Sequence, residues 1–480
     1  MGILSTLKPE SVFSIFEEIC AIPHGSGNMQ KISDYCVEFA KKHGLKYVQD
    51  DSQNVIIYKP ASKGFEDAEP IILQGHLDMV CQKEKGLDKD LEKEGIEPVL
   101  NGGFISANGT TLGADNGIAV AMIMSILADE NIENPPIEAV FTTDEEIGMF
   151  GADSLDYLLL SAKKMINIDS EEGDTVTVSC AGGSEFKMEI SGTKLEVSGG
   201  ALTITVGGLK GGHSGVEIDK GRQNSNTLMG RILNALNTEF PFNIIEINGG
   251  QKANAIPTDC VAKICVEDIE NAEIFLEKYS QEIKKELIFR EENCSITFEQ
   301  DKKDNYCCFD CETTKKVIFA LINTPCGIVE MSKEIEGLVE TSLNLGILFT
   351  KDNSVTLIYA LRSNKISALN FLEERLLNVC EMLDAKGDIS GRYLPWEYNA
   401  NSKIRDSYVA AYKKKYGKEP KIAAIHAGLE CSVFAAKIKG LDCIAVGPDM
   451  TDVHTPNETL SVDSARDIYE ILLDVLASAK

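Results

Sequence analysis

The sequence predicts an α/β protein: a catalytic α/β domain with a central mixed sheet, interrupted by an α+β, ferredoxin-like lid domain that is internally doubled. Three observations predict it. Apolar helical stretches alternate with short apolar strand runs up to residue 187. Alternating strands with turn glycines take over from 188 to 394, and the first pattern returns over 395–480. One domain is thus expected in two pieces, 1–187 and 395–480, with 188–394 inserted between them.

In the first piece, ESVFSIFEEICAIP and NMQKISDYCVEFAKKHG space their apolar residues as helices do, and VIIYKP and IILQGHLDMV are apolar runs of strand length. NGIAVAMIMSILADE is an apolar helix. IEAVFTTDEE and KMINIDSEE are strands that break into acids at their carboxyl ends, the edge where open α/β sheets place their sites. The insert runs LTITVGG strand, RQNSNTLMGRILNAL helix, NIIEI strand, AIPTDCVAKICVE strand, NAEIFLEKYSQEIKKELI helix and SITFEQ strand, the βαββαβ order of a ferredoxin-like sandwich. A second round follows: helix TTKKVIFALINT, hairpin VETSLNLGILFTK with SVTLIYALRSN, helix ISALNFLEERLLNVCEML and strand GDISGRYLPW. The last piece alternates helix SKIRDSYVAAYKKKYG, strand KIAAIHAG, helix LECSVFAAKI, strand CIAVGPD and a closing helix VDSARDIYEILLDVLASAK.

Bulk properties narrow the function. A chain of 480 residues with 43% hydrophobic content has material for more than one core. Its net charge of -28 argues against nucleic acid and anionic membranes as partners. No apolar run reaches the ~20 residues of a membrane span and no signal segment is evident, so a cytoplasmic protein is expected, monomer or homodimer. The fourteen cysteines then read as reduced thiols; Cys308 and Cys311 form a lone C-x-x-C with no second pair at zinc-finger spacing. The opening MGILST matches a loose acylation pattern that is too short to count.

Only six histidines occur, and two of them, His76 and His454, sit in acidic, glycine-flanked segments far apart in the chain. Two imidazoles among several carboxylates suit zinc, cobalt or manganese, and two such ions together make a hydrolytic centre. His76 is expected to bind metal, with Asp78 two residues on, sharing its strand face, to orient the ring. Asp115, in GADNG at the mouth of an apolar helix, would cap that helix if alone; in this company it can bridge two cations. Glu145 and Glu146 are adjacent and point differently, which suits one to bind metal and the other to carry protons. Asp169 after KMINI and His454 in GPDMTDVHTPNE can complete the two shells, though spacing alone assigns neither to a particular ion. His213, on the glycine loop GGLKGGHSG, is placed to donate to an oxyanion. His24 and His43 read as ordinary histidines.

The set GHLDMV, GADNG, TTDEEIG, INIDSEE, GGHSG and DVHTPNE resembles the co-catalytic metallopeptidases that include carnosinase, peptidase T and the aminoacyl-histidine dipeptidases. IPHGSG, LQGHLDMV, NGGQKANAIP, HAGLEC and GPDMTDVHTPNE are similar to the aminoacyl-histidine branch, and the resemblance runs from end to end. It departs at Ser432, where glycine is expected. The resemblance implies a dipeptidase that activates water between two divalent ions, most readily zinc. It implies that His76 and Asp169 hold one ion, Glu146 and His454 the other, and that Asp115 bridges them, with a cis bond to Asn116. Glu145 becomes the general base, Asp78 the orienting acid and His213 the stabiliser of the tetrahedral intermediate. Asn254 in KANAIP and Arg362 in LRSN fall where relatives contact substrate, and a guanidinium suits a free carboxylate. His426 and Glu430 in HAGLEC fall at the substrate end, with Glu430 opposite a free amino group. Small peptides are the partners so implied.

Competing readings are a deacylase or carboxypeptidase-like amidohydrolase on the same centre, or a catalytically silent metal-binding protein. A thiol enzyme is disfavoured because no cysteine sits in a motif that pairs it with histidine.

Overall fold

The computed structural model describes residues 2–301, 303 and 305–479. The chain folds as two compact units: 1–180 with 398–424 and 429–480, and 181–397 with 425–428.

The first unit is built on an eight-stranded mixed sheet in the order Lys46–Gln49, Val55–Lys59, Ile137–Thr142, Ile71–His76, Lys164–Asn167, Asp442–Ala445, Thr175–Cys180, Lys421–Ile425. Four consecutive strands in that order, from Ile137–Thr142 to Asp442–Ala445, are parallel. His76 pairs with Thr142, and Asn167 with Ala445, so these strands end nearly flush and release their chains at one edge. Strands 71–76 and 137–142 are buried at every residue, which is why they read as continuous apolar runs rather than alternating ones. The helix Ala114–Ala128 is apolar around its whole circumference and buried from Asn116 to Leu127, as a core helix must be. A small separate sheet joins the hairpin Pro98–Asn101 and Phe104–Ala107 to Thr459–Ser461 and Met450–Thr451. Sequence patterning misses that sheet, because its strands are two to four residues long. Among the described residues no helix is long and apolar enough to cross a membrane.

The second unit is an antiparallel sheet whose main path runs Ser295–Asp301, Gly200–Gly207, Cys260–Val266, Phe242–Gly249, Val339–Lys351, Ser354–Ser363, Gly182–Ser191, Lys386–Tyr393. The first four are one βαββαβ round with strand order 4-1-3-2. The last four have the mirrored order 2-3-1-4, with Gly182–Ser191 as the first strand of the second round. One sandwich is therefore inserted into the other after that strand, and the two sheets join at the Gly249 and Leu348 pairing. This accounts for the position of the unit boundary: the strand at 182–191 straddles the 187/188 break expected from sequence, and it pairs with 354–363 and 386–393. Helices Ser225–Glu239, Ile269–Leu287, Cys311–Asn323 and Ile366–Leu383 contribute to one continuous apolar core with this sheet. Cys308 is buried and Cys311 exposed, and every cysteine is a free thiol.

Candidate metal centre

The loops leaving the flush strand ends carry most of the acids and both imidazoles of the first unit's polar edge. His76 closes its strand; Glu145 and Glu146 follow Thr142, and Asp169 follows Asn167. Asp115 enters at the start of helix 114–128, through a cis bond to Asn116. His454 lies on the segment after strand 442–445, with φ of 64°, a left-handed conformation sparsely used outside glycine and found at functional sites.

Asp115 divides its carboxylate between the two imidazoles. Oδ1 lies 3.1 Å from His76 Nε2, and Oδ2 lies 3.1 Å from His454 Nε2. Asp169 Oδ1 is 3.4 Å from the same His76 nitrogen, and Glu146 Oε1 is 2.8 Å from His454 Nε2. His76, Asp115 and Glu146 offer donor atoms that all lie within 4.8 Å of one another. The five residues expected to bind metal are thus together, in two groups that share Asp115.

The charge of the cluster suits it to cations. Among the described residues, Asp115, Glu146 and Asp169 form ion pairs only with the two histidines and none with lysine or arginine. Buried carboxylates in such excess need positive charge. Burial opposes ionisation of Asp115, but hydrogen bonds with His454 and His76 outweigh it and hold its carboxyl well below the usual range. Hydrogen bonds to Asp115 and Glu146 push His454 up to about 10. Burial lifts Asp169 to about 6, against the pull of His76. Two imidazoles and three carboxylates are a donor set that fits two divalent ions of the zinc, manganese or cobalt kind.

Supporting contacts fix these donors. His76 Nδ1 lies 2.9 Å from the main-chain carbonyl of Asp78, a bond that leaves Nε2 free to bind a cation. The Asp78 carboxylate is farther, at 3.5 Å, and instead accepts N–H bonds from Glu145 and Glu146 and the Ser26 hydroxyl. Asp78 thus faces the His76 ring with both its carbonyl and its carboxylate. Its backbone orients the imidazole, while its side chain holds the turn that carries the two glutamates. Glu145 is half-buried, and burial of its carboxyl raises its pKa, with nearby acids adding to the effect.

Three supports were missed in the sequence. The Asn116 side chain accepts the His76 N–H and donates to the Ile168 carbonyl and to Asp169 Oδ1, so one amide ties three segments together. Asp449 accepts the Gly173 N–H, and a Cβ on Gly447 would collide with the Ser170 backbone; this close approach seats the 446–450 segment on the Asp169 loop. Glu458 accepts backbone N–H bonds at the start of helix 114–128. GADNG, GPD and TPNE are visible as motifs, but their polar partners are not local, so no spacing rule could assign them.

In the second unit His213, Asn254, Arg362 and His426 also gather. Gly212 and His213 pair with Ile256 and Ala255, and Ser214 N–H bonds the Asn254 carbonyl. A Cβ on Gly215 would lie 2.5 Å from the His426 carbonyl, 2.9 Å from the His213 ring and 3.1 Å from Arg362 Nε, so glycine is required there. The His213 Nδ1 accepts the N–H groups of Gly215 and Val216, which places its proton on Nε2. Arg362 Nη1 donates to the Tyr393 hydroxyl, and its Nε has no partner among the described residues.

Two residues expected at the substrate end, His426 and Glu430, bond to neighbouring side chains. His426 is buried, its ring nitrogens 2.8 Å from Ser342 Oγ and 3.2 Å from Asn364 Oδ1. Glu430 is fully buried in the first unit, where it accepts bonds from Gln74 and Thr142. Both bond to protein partners, while Glu430 Oε1 has no hydrogen-bond partner among the described residues. HAGLEC looks like a single motif, yet its residues divide between the two units.

Known proteins resemble this chain in sequence and fold. The family model described as Peptidase family M20/M25/M40 matches residues 72–478. The chain is 36% identical to the Cytosol non-specific dipeptidase of Escherichia coli, over 99% of both chains. It is 35% identical to the aminoacylhistidine dipeptidase of Vibrio alginolyticus, with a TM-score of 0.92 over 98% of this chain and 97% of that one. An aminopeptidase of Bacillus cereus shares the fold at 16% identity, with a TM-score of 0.57 over 98% of this chain and 99% of that one.

Proposed function

Because the chain belongs to peptidase family M20/M25/M40, we propose that this metallopeptidase hydrolyses dipeptides, Xaa-His dipeptides such as carnosine among them, with two divalent ions, most readily zinc. The observation that carries this reading is the divided carboxylate of Asp115, with one oxygen on each imidazole. In this reading His76 and Asp169 would hold one ion and Glu146 and His454 the other, with Asp115 available to both. Ions held there would supply polarisation of a peptide carbonyl and acidification of water toward a pKa of ~7.

The chain's own residues do the rest. Glu145, whose main chain is fixed by Asp78, takes the proton of the attacking water on a carboxylate oxygen and passes it to the departing amine. The Nε2–H of His213 donates to the carbonyl oxygen as it becomes anionic. Arg362, steadied by Tyr393, takes the free carboxylate of the substrate, and Asn254 adds amide hydrogen bonds. A guanidinium that claims a terminal carboxylate limits the substrate on that side, which favours dipeptides. The free thiols and the cytosolic relative support a cytoplasmic location.

Zinc-reconstituted protein, assayed on a dipeptide panel that includes carnosine, should cleave the dipeptides and spare their C-terminal amides and N-acetyl amino acids. Chelation should abolish the activity, zinc, manganese or cobalt should restore it, and thiol alkylation should leave it intact. Cleavage of acetylated amino acids with dipeptides untouched would make the protein a deacylase instead.

A further inference from the structure

The Glu458 side chain is 2% exposed and has no lysine or arginine partner among the described residues. It is solvated by backbone alone. Its Oε2 accepts the N–H groups of Leu112 at 2.7 Å and Gly113 at 3.1 Å, and its Oε1 those of Ala114 at 2.8 Å and Asp115 at 3.3 Å. These include donors that the first turn of helix 114–128 leaves without intrahelical acceptors, and the helix's own N-cap, Gly113, has no side chain to supply one. A carboxylate there also meets the positive end of the helix dipole. The cap comes from a residue 343 positions away from Asp115.

That residue is four positions after His454. The turn between them is closed by the Thr455 N–H to Asp452 carbonyl and Glu458 N–H to Thr455 carbonyl bonds, and the chain then pairs Leu460 with Ile105. A single short segment therefore holds the Asp115 backbone with one side chain and reaches the Asp115 carboxylate with another. No other side chain among the described residues bonds these four amides.

We propose that Glu458 is a positioning residue: by binding the amides of 112–115 it sets the spacing between Asp115 and His454, and thereby the affinity of the centre for the cation that His454 holds. This rests on the two-ion reading above. The ion on His76 and Asp169 keeps those two donors in place, so losing this spacing should weaken it less than the ion on His454.

The test is zinc titration of metal-free protein against a chromophoric chelator, for wild type, Glu458→Gln and Glu458→Asp, with the melting temperature of each metal-free variant measured alongside. Wild type should bind two zinc ions. Glu458→Gln, which turns an amide N–H toward two of the four donors, should weaken one of them about 10- to 100-fold and the other less. If Glu458→Gln does not fold, Glu458→Asp keeps the charge but shortens the reach by one methylene, and should weaken the same ion most. Restoration of only the melting temperature by Glu458→Asp, with zinc affinity still reduced, separates spacing from simple stabilisation. Two wild-type affinities in a folded variant overturn the proposal, whereas a single zinc ion in the wild type overturns the two-ion reading beneath it.

Discussion

The Nε2 of His454 lies 3.1 Å from a carboxylate oxygen of Asp115, a residue 339 positions earlier in the chain. The other oxygen of that carboxylate faces His76. Removing the shared group should therefore affect both halves of the centre at once. Asp115→Ala is expected to bind less than one zinc ion per chain and to lose about 10³-fold or more in kcat/KM, roughly 4 kcal/mol of transition-state stabilisation. Two tightly held zinc ions in this variant would show that the carboxylate is not shared.

Glu145 is held beside the centre but makes no contact with either imidazole among the described hydrogen bonds and ion pairs. Glu145→Gln should accordingly retain two zinc ions while kcat falls by about 10²- to 10⁴-fold, the range for loss of a general base. A loss of zinc that tracks the loss of activity would make Glu145 a ligand.

Gly215 is pressed between the His426 carbonyl, the His213 ring and Arg362. Gly215→Ala must displace at least one of them, at a cost of about 1–3 kcal/mol in stability. Because this cluster holds the groups assigned to substrate, KM for dipeptides should rise by an order of magnitude or more with zinc content unchanged. An unaltered KM, measured by steady-state kinetics, would remove these residues from the substrate site.

His426 is kept neutral: burial, with Arg362 and then His213 adding positive charge nearby, lowers its pKa to about 3. Its other neighbours, Ser342 and Asn364, are uncharged. The folded value lies below that of the unfolded chain, so above about pH 6.5 the residue has no linkage effect. As pH falls below that value the unfolded chain gains a proton that the folded one refuses, and stability is lost until pH reaches about 3. By pH 5 this amounts to about 2 kcal/mol. Urea unfolding at pH 7 and pH 5 should show that loss in wild type and a smaller one in His426→Gln; equal losses would assign the slope to other groups.

Local pattern revealed much of the fold. Strands 71–76 and 137–142 and helix 114–128 are apolar enough to identify by period and length, and the second unit's elements follow one another in βαββαβ order. The role of Gly182–Ser191 was hidden, because a strand that joins its round only after another round has intervened has no neighbour in sequence to reveal it. The small sheet around Leu460 was hidden for a simpler reason: strands of two to four residues have no period to detect.

The sequence by itself determined which side chains were available: a few histidines, acids at strand ends, glycines where backbones must approach. Those are properties of residue type and near neighbours, and they were enough to single out the five residues that the fold brings together. Only the tertiary structure decided the partners. Asp78 turns its carboxylate to the Glu145 amide, Asn116 bridges His76 and Asp169, Glu458 caps a helix from the far end of the chain, and Glu430 is buried against Gln74. Each of these bonds spans 40 or more positions, and a hydrogen bond depends on distance and angle in space, which the order of residues along a chain does not encode.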